Sequence, residues 1–497
     1  SENRRAIVPT YELGRSTCER EGVDSRGILA FIQKLKERDI HLHTFTMARH
    51  GKLIAQVNAF PYKNTCRHVE NSVTKTFTSV AVGILYDRGL LSLDELVYPY
   101  FSNPSYADNG LETLTIRHLL TMTLGQDGPD MFAAGDESRD WCESIFDRHI
   151  TDLPGSRFYY NSMASHMLSA IVTKITGKSQ CEFLKENFFD LCGIQDYDWL
   201  EDPSGYSIGG VGLYMKATDL IKLGQLFLNR GVLNGHRILS EEWCGLATSK
   251  QIETAPGYPA YKTESTQGYG FQMWRCTHNG YRASGLFGQI CVVLPDCDTT
   301  FVMNSSTSGS QPLLDTFFET VYPCIGNEPL KECPENVERI RELSRMLDAQ
   351  PVTGCAMPAY QGSINGRKIR FWDADKYVRL TFRSDDCRFE IGEGNRTYSC
   401  CLGNQEYRAG ATDLDQYLMR YGSYMQTARQ RTHVPSAYGS YAWLGASHLR
   451  IRVLLDDHTS YNEWDIYFDS YMARMDENFK YLIQGYDYHT QNILLMP

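Results

Sequence analysis

Apolar side chains recur along this chain with two periods, and the change between them divides it. Val73, Phe77, Val80, Ala81, Ile84 and Leu85 fall at helical spacing, which predicts a helix with one face buried against a core. Asn71 stands where an N-cap belongs, and Gly89 where a helix stops. The same period predicts helices over 25–38, 114–125 (with Thr115 as N-cap), 163–176, 218–228 and 313–321. Alternation predicts a hairpin of 42–48 and 52–57 turning at Arg49-His50-Gly51, and a strand over 269–274. A second hairpin, 290–295 with 299–304, is entered through the glycine-bearing turn Ala283–Gln289.

From Pro351 the helical period gives way to short aromatic-rich runs of period two at 369–372, 377–382, 449–455 and 464–468. That pattern predicts an all-β module, a barrel or a sandwich. A polar stretch with a charged helix at 335–347 lies between. At 497 residues the chain exceeds what one small core serves. The expected organisation is an α/β (α+β) domain over 1–325, a linker with its helix over 326–350, and an all-β domain over 351–497.

Composition narrows the partners. A net charge of −11 with no basic stripe argues against nucleic acid. The longest apolar run, about 80–85, is far short of the roughly 18 residues a membrane span needs. A soluble protein acting on a small-molecule or peptide substrate is expected, with homo-oligomerisation through the C-terminal domain left open. Fifteen cysteines, an odd number without a Cys-x-x-Cys pair, read as buried free thiols in a reducing compartment. This favours the cytoplasm, although the chain starts at Ser1 and a removed leader stays open. His41 and His43 share a strand face but lack a third ligand, so neither metal nor cofactor is expected.

The start of the 73–85 helix carries candidate chemistry. Ser72 sits where unpaired backbone N–H groups and the helix dipole favour developing negative charge. Lys75, three residues on, lies on the same side, and desolvation there lowers an ammonium pKa toward the range of a base. Ser72-x-x-Lys75 is the one such match in the sequence. Acyl transfer also needs a proton relay and two oxyanion donors. Downstream, in order, stand Tyr160-Asn161-Ser162 and Ala283-Ser284-Gly285.

With these motifs the chain resembles the serine β-lactamase-related hydrolases: class C β-lactamases, D-peptidases and carboxylesterases, close in fold to penicillin-binding proteins. The resemblance covers about 25–325, including 114–125, the Pro-Gly-x-x-Phe-x-Tyr stretch at 154–160, 210–228 and Gly288-Gln289. It implies a β-lactamase/transpeptidase-like domain with an antiparallel sheet flanked by helices. It also implies Ser72 as nucleophile, Lys75 as its activator, Tyr160 as general acid/base, and the Ser72 N–H with one near Leu286 as oxyanion hole. Asn161, Ser162, Ala283, Ser284, Gly285 and Leu286 would line the substrate site.

Two positions depart from the family pattern. Tyr-x-Asn reads Tyr-Asn-Ser here, so either Asn161 or Ser162 holds Lys75 or the substrate. The cation of the family's Lys-Thr-Gly or His-x-Gly motif is replaced by Ala283, with Arg282 adjacent as a candidate substitute. The loss favours an esterase, amidase or D-amino-acid peptidase over a β-lactamase. A true β-lactamase and a non-catalytic peptide-binding protein that keeps the penicillin-binding fold remain as alternatives. Gly205-Tyr206-Ser207-Ile208-Gly209 spells a nucleophile elbow but lacks the preceding strand, and reads as a pocket-wall loop.

Overall fold

In the computed structural model, which describes residues 10–101, 110–126, 140–147, 150–255, 263–419, 433–483 and 486–497, the hairpin expected at 42–57 forms the middle of a seven-stranded sheet. Its strands are β1 (Gly14–Arg15), β2 (His41–Arg49), β3 (Lys52–Asn58), β4 (Trp274–Arg275), β5 (Tyr281–Gly285), β6 (Gln289–Leu294) and β7 (Thr299–Ser306), in the order β1-β3-β2-β7-β6-β5-β4. All neighbours are antiparallel except β1 with β3. His50 and Gly51 take φ of 49° and 73°, the left-handed pair a tight hairpin turn requires.

Seven of the helices support this sheet or the residues around it: α1 (Arg26–Glu37), α2 (Thr74–Asp87), α3 (Ile116–Leu120), α4 (Ser162–Thr176), α5 (Ala217–Leu228), α6 (Gln311–Thr320) and α7 (Pro334–Ser344). One face of the sheet is covered by α1 and α6, where the rings of Phe31, Phe45, Phe301 and Phe317 meet. Side chains alternate across a strand, so Cys291 and Thr300 point to the other face and meet α5. There Gln225 donates to the Thr300 hydroxyl at 2.6 Å. The charged helix expected at 335–347 is α7, which packs on α1.

Three expectations change. The 73–85 helix is buried on every side from Thr74 to Leu85, not on one face, because α4 and Trp243 cover its small residues. A Cβ on Gly83 would lie 2.4 Å from the Trp243 indole nitrogen. The helix expected over 114–125 has only five residues. Thr115 caps it as expected, in a reciprocal box with His118. It ends because Met122 turns left-handed (φ 59°) and Gln272 takes the carbonyls of Leu119 and Leu120. The strand expected over 269–274 is broken by the same Gln272, itself left-handed at φ 59°, leaving a strand only at β4.

The chain clusters into two units. Among the described residues, one holds 10–59 and 64–347, the other 60–63 and those from 348 to 497. Of the two alternatives expected after Pro351, the second unit is a barrel. Its strands are β8 (Lys368–Phe371), β9 (Lys376–Phe382), β10 (Asp386–Glu393), β11 (Arg396–Asn404), β12 (Arg408–Ala411), β13 (Ser436–Gly445), β14 (His448–Leu455), β15 (Tyr461–Phe468), β16 (Met472–Ile483) and β17 (Tyr486–Leu495). They run β11-β10-β9-β8-β17-β16-β15-β14-β13-β12, closed by a parallel pairing of β11 with β13. Gly439 permits the closure, since a Cβ there would lie 2.4 Å from the Cys401 carbonyl oxygen. Val378, Leu380, Phe389, Ile451, Trp464 and Phe479 fill the interior.

None of the fifteen cysteines is in a disulfide, and only Cys355 is exposed. Among the described residues no helix is long and apolar enough to cross a membrane.

Candidate active site

The chain enters α2 through a single 3-10 turn, Asn71–Val73. Asn71 is not the N-cap expected of it. Its φ is 48°, and its side-chain amide donates to the Leu286 carbonyl at 3.0 Å, tying the turn to the end of β5. Ser72 sits half-buried at the centre of this strained turn, and Lys75 is one helical turn on. The Lys75 ammonium donates to Ser72 Oγ at 2.9 Å, to Ser162 Oγ at 3.0 Å and to the Gly210 carbonyl at 2.8 Å. Only 2% of Lys75 is exposed, so these partners stand in for water.

Of Asn161 and Ser162, it is Ser162 that contacts Lys75. Ser162, the first residue of α4, faces Lys75, while Asn161 caps that helix by accepting from the Met163 N–H at 2.9 Å. The Asn161 side-chain nitrogen is buried without a partner among the described residues. Tyr160 presents its ring to Lys75, whose nitrogen lies 4.7 Å from the ring centre. The ring also stacks on Trp274 at 5.7 Å, and the Arg282 guanidinium lies 5.7 Å from the Trp274 ring centre.

Strand β5 runs directly against the Ser72 turn. A Cβ on Gly285 would lie 2.4 Å from the Glu70 carbonyl oxygen and 3.1 Å from the Ser72 nitrogen. Glycine at this position lets the strand and the turn touch, which brings the Ser72 amide beside the turn that starts at Leu286. Ala283 is buried and uncharged, and Ser284 Oγ lies 3.5 Å from Ser310 Oγ. Arg282 does not replace the missing cation. It is 1% exposed, and its guanidinium donates to the Glu264 carbonyl at 2.9 Å and to Ser265 Oγ at 3.0 Å.

Buried titratable groups lie just behind the turn. Burial pushes the Glu70 carboxyl well above the usual range, and the Asn304 amide at 3.2 Å only partly offsets it. Burial also pulls His68 down to about 4. His68 Nδ1 lies 2.8 Å from the Val69 carbonyl, so it carries the ring proton and Nε2 accepts from His43 Nδ1, also at 2.8 Å. His43 Nε2 is then the acceptor for Ser306 Oγ at 2.9 Å. Both ring nitrogens of His43 are thus engaged, and His41 pairs on the surface with Asp39. Ser207 is fully buried, its hydroxyl accepting from the Cys181 N–H at 3.0 Å, and it is placed for packing.

Sequence reasoning missed the Gly210 carbonyl, Trp274 and Ser310. A backbone acceptor has no side-chain signature, and Trp274 reaches Tyr160 only through the fold.

The family model described as Beta-lactamase matches residues 33–317. Among curated proteins, the 6-aminohexanoate-dimer hydrolase of Paenarthrobacter ureafaciens is 24% identical over 283 residues, covering 53% of this chain and 72% of that protein. Among solved structures, the octameric penicillin-binding protein homologue from Pyrococcus abyssi matches with a TM-score of 0.50 at 15% identity, covering 95% of this chain and 100% of that one. At that identity the likeness speaks for the fold, and it extends over both units.

Proposed function

The chain belongs to the beta-lactamase family of hydrolases, and from that premise we propose that it is a serine hydrolase working through an acyl-enzyme on Ser72. The observation that carries this reading is the Lys75 ammonium 2.9 Å from Ser72 Oγ in a nearly water-free setting. Once Lys75 has lost a proton, Ser162 Oγ and the Gly210 carbonyl pin its two remaining hydrogens, and the lone pair is left aimed at Ser72. The Ser72 oxygen attacks the acyl carbon as its proton passes to Lys75. Tyr160, beside that cation, delivers a proton to the departing alcohol or amine. Water then attacks the acyl-enzyme, giving a proton to the Tyr160 phenolate, while Lys75 returns its proton to Ser72 as the acid leaves. The Ser72 amide and one near Leu286 hold the oxyanion.

The substrate in this reading is an ester or an amide, peptides of D-amino acids included. Two features support an acyl group without a carboxylate next to the scissile bond: Ala283 brings no charge, and Arg282 is turned into the core. An amide is supported by the curated relative, named for hydrolysis of the 6-aminohexanoate dimer. A reducing, cytoplasmic setting is supported by fifteen cysteines without a disulfide among them. Self-association through the barrel is supported by an outward apolar patch of Trp372, Tyr471, Met472, Ile493 and Leu495, and by the octameric state named for the Pyrococcus abyssi homologue. Light scattering on a Trp372→Glu protein checks it, with a smaller particle than wild type expected.

The decisive experiment is labelling with a fluorophosphonate followed by peptide mapping. Label on Ser72 that disappears in Ser72→Ala and persists in Ser207→Ala is the expected result. Full labelling of Ser72→Ala would end the assignment.

A further inference from the structure

The glycine loop that supplies the Gly210 carbonyl to Lys75 is itself held by a buried histidine–aspartate hydrogen bond that the acyl-transfer chemistry leaves unused. His166, on α4, and Asp202 are both fully buried, with His166 Nε2 at 2.9 Å from Asp202 Oδ2. The other carboxylate oxygen, Oδ1, accepts from the Tyr206 N–H at 2.9 Å. The other ring nitrogen, Nδ1, lies 3.3 Å from the Gly209 N–H. An N–H can only donate, so Nδ1 carries a lone pair and the ring proton sits on Nε2, facing the carboxylate.

Three backbone groups of the Gly209–Gly210 segment are therefore spoken for. The Gly209 N–H donates to His166, the Gly209 carbonyl accepts from the Thr78 hydroxyl at 2.7 Å, and the Gly210 carbonyl accepts from Lys75 at 2.8 Å. The loop also lies flat on α4: a Cβ on Gly209 would come within 2.2 Å of the Ser165 carbonyl oxygen. Helix α4 thus carries at its first residue one Lys75 acceptor, Ser162, and one turn on the histidine that fixes the segment bearing another.

We infer that the Asp202–His166 pair is a positioning device for Lys75, acting through the Gly209–Gly210 segment. The carboxylate selects the imidazole tautomer, the tautomer offers an acceptor to Gly209, and the fixed loop sets the Gly210 carbonyl at its distance from the lysine. A wrong tautomer would set Nδ1–H against the Gly209 N–H and displace the loop, and Lys75 with it. The inference rests on Lys75 as the activator of Ser72.

The test is the bimolecular rate of fluorophosphonate labelling at Ser72, per folded molecule, in wild type, His166→Asn, His166→Leu and Asp202→Asn. Both His166 variants leave Asp202 without its partner and lose stability alike, but asparagine still offers an oxygen to the Gly209 N–H. Asp202→Asn presents an amide N–H to Nε2 and drives the ring to the other tautomer. Labelling by His166→Asn is expected to stay near the wild-type rate. His166→Leu and Asp202→Asn are expected to fall on the order of 10²-fold, as for an ångström-scale misplacement. Equal rates per folded molecule in His166→Asn and His166→Leu, or wild-type rates in Asp202→Asn, would overturn the inference while leaving Ser72 in place. A wild-type protein that does not label at Ser72 would overturn both. Should the variants fail to fold, nitrogen-15 spectra of histidine-labelled wild type decide: a proton on Nε2 of His166 is expected, and one on Nδ1 refutes the device.

Discussion

Replacing Gly285 by alanine tests the contact on which the proposed oxyanion hole depends. The added methyl would sit 2.4 Å from the Glu70 carbonyl oxygen and 3.1 Å from the Ser72 nitrogen, and both obstacles are backbone. Neither can swing aside as a side chain would. Contacts below 3.0 Å are essentially never tolerated, so β5 must retreat from the turn by more than about half an ångström. Gly285 is not among the positive-φ glycines, so the perturbation is steric and local. Loss of one oxyanion donor typically costs about 10²–10³ in kcat. The expected result is a fall on the order of 10² in both phosphonate labelling and the kcat for an activated ester, with KM changed much less. Thermal melting should show a protein that still folds, because β5 keeps its pairing with β6. Wild-type turnover in a folded Gly285→Ala protein would mean that the turn after Gly285 does not hold the oxyanion.

Lys75→Ala and Tyr160→Phe should each lower turnover on the order of 10²-fold or more, and wild-type kcat in Tyr160→Phe would reduce the tyrosine to a pocket wall. Ser162→Ala removes one acceptor from a buried cation, a loss of roughly 1.5–3 kcal/mol, so steady-state kinetics should read about a ten- to hundredfold drop in kcat. Activated esters should be turned over with higher kcat/KM than any cephalosporin, and equality between them would point to an unrecognised cation. Stability should fall as pH drops from about 6.5 toward 4: the unfolded chain takes up a proton on His68 in that window while the folded protein, with this pKa pulled down to about 4, does not. Urea melts of wild type and His68→Asn across that range check it, and an equal slope in both would exclude His68 as the cause.

Much of the site was legible because it is local. Ser72 and Lys75 share one helix start, and a period-3.6 count brings them together without any tertiary knowledge. Asn161 could have been assigned as well, since an asparagine directly before a helical run is a strong N-cap, which leaves Ser162 for the lysine. By contrast, Arg282 and Ala283 differ by one place on a strand, and only the sheet decides which of them faces the site. The break at Gln272 was hidden by a period-two pattern across 269–274 that the left-handed turn overrides. In the barrel, the runs of period two pick out β8, β9, β14 and β15 but not the other six strands; in β16 the buried Glu477 interrupts the inward stripe of Ala473, Met475 and Phe479, whereas 377–382 carries Val378, Leu380 and Phe382 without a break.

The thiol inventory has a practical outcome. With Cys355 the sole exposed cysteine and the other fourteen partly or wholly shielded, a maleimide dye has one preferred address, in the second unit. On the proposed mechanism a fluorophosphonate dye has another, at Ser72 in the first. The two reagents react by different chemistry and can be loaded on one unmodified chain, giving an energy-transfer ruler between the serine and the barrel unit without a single engineered residue.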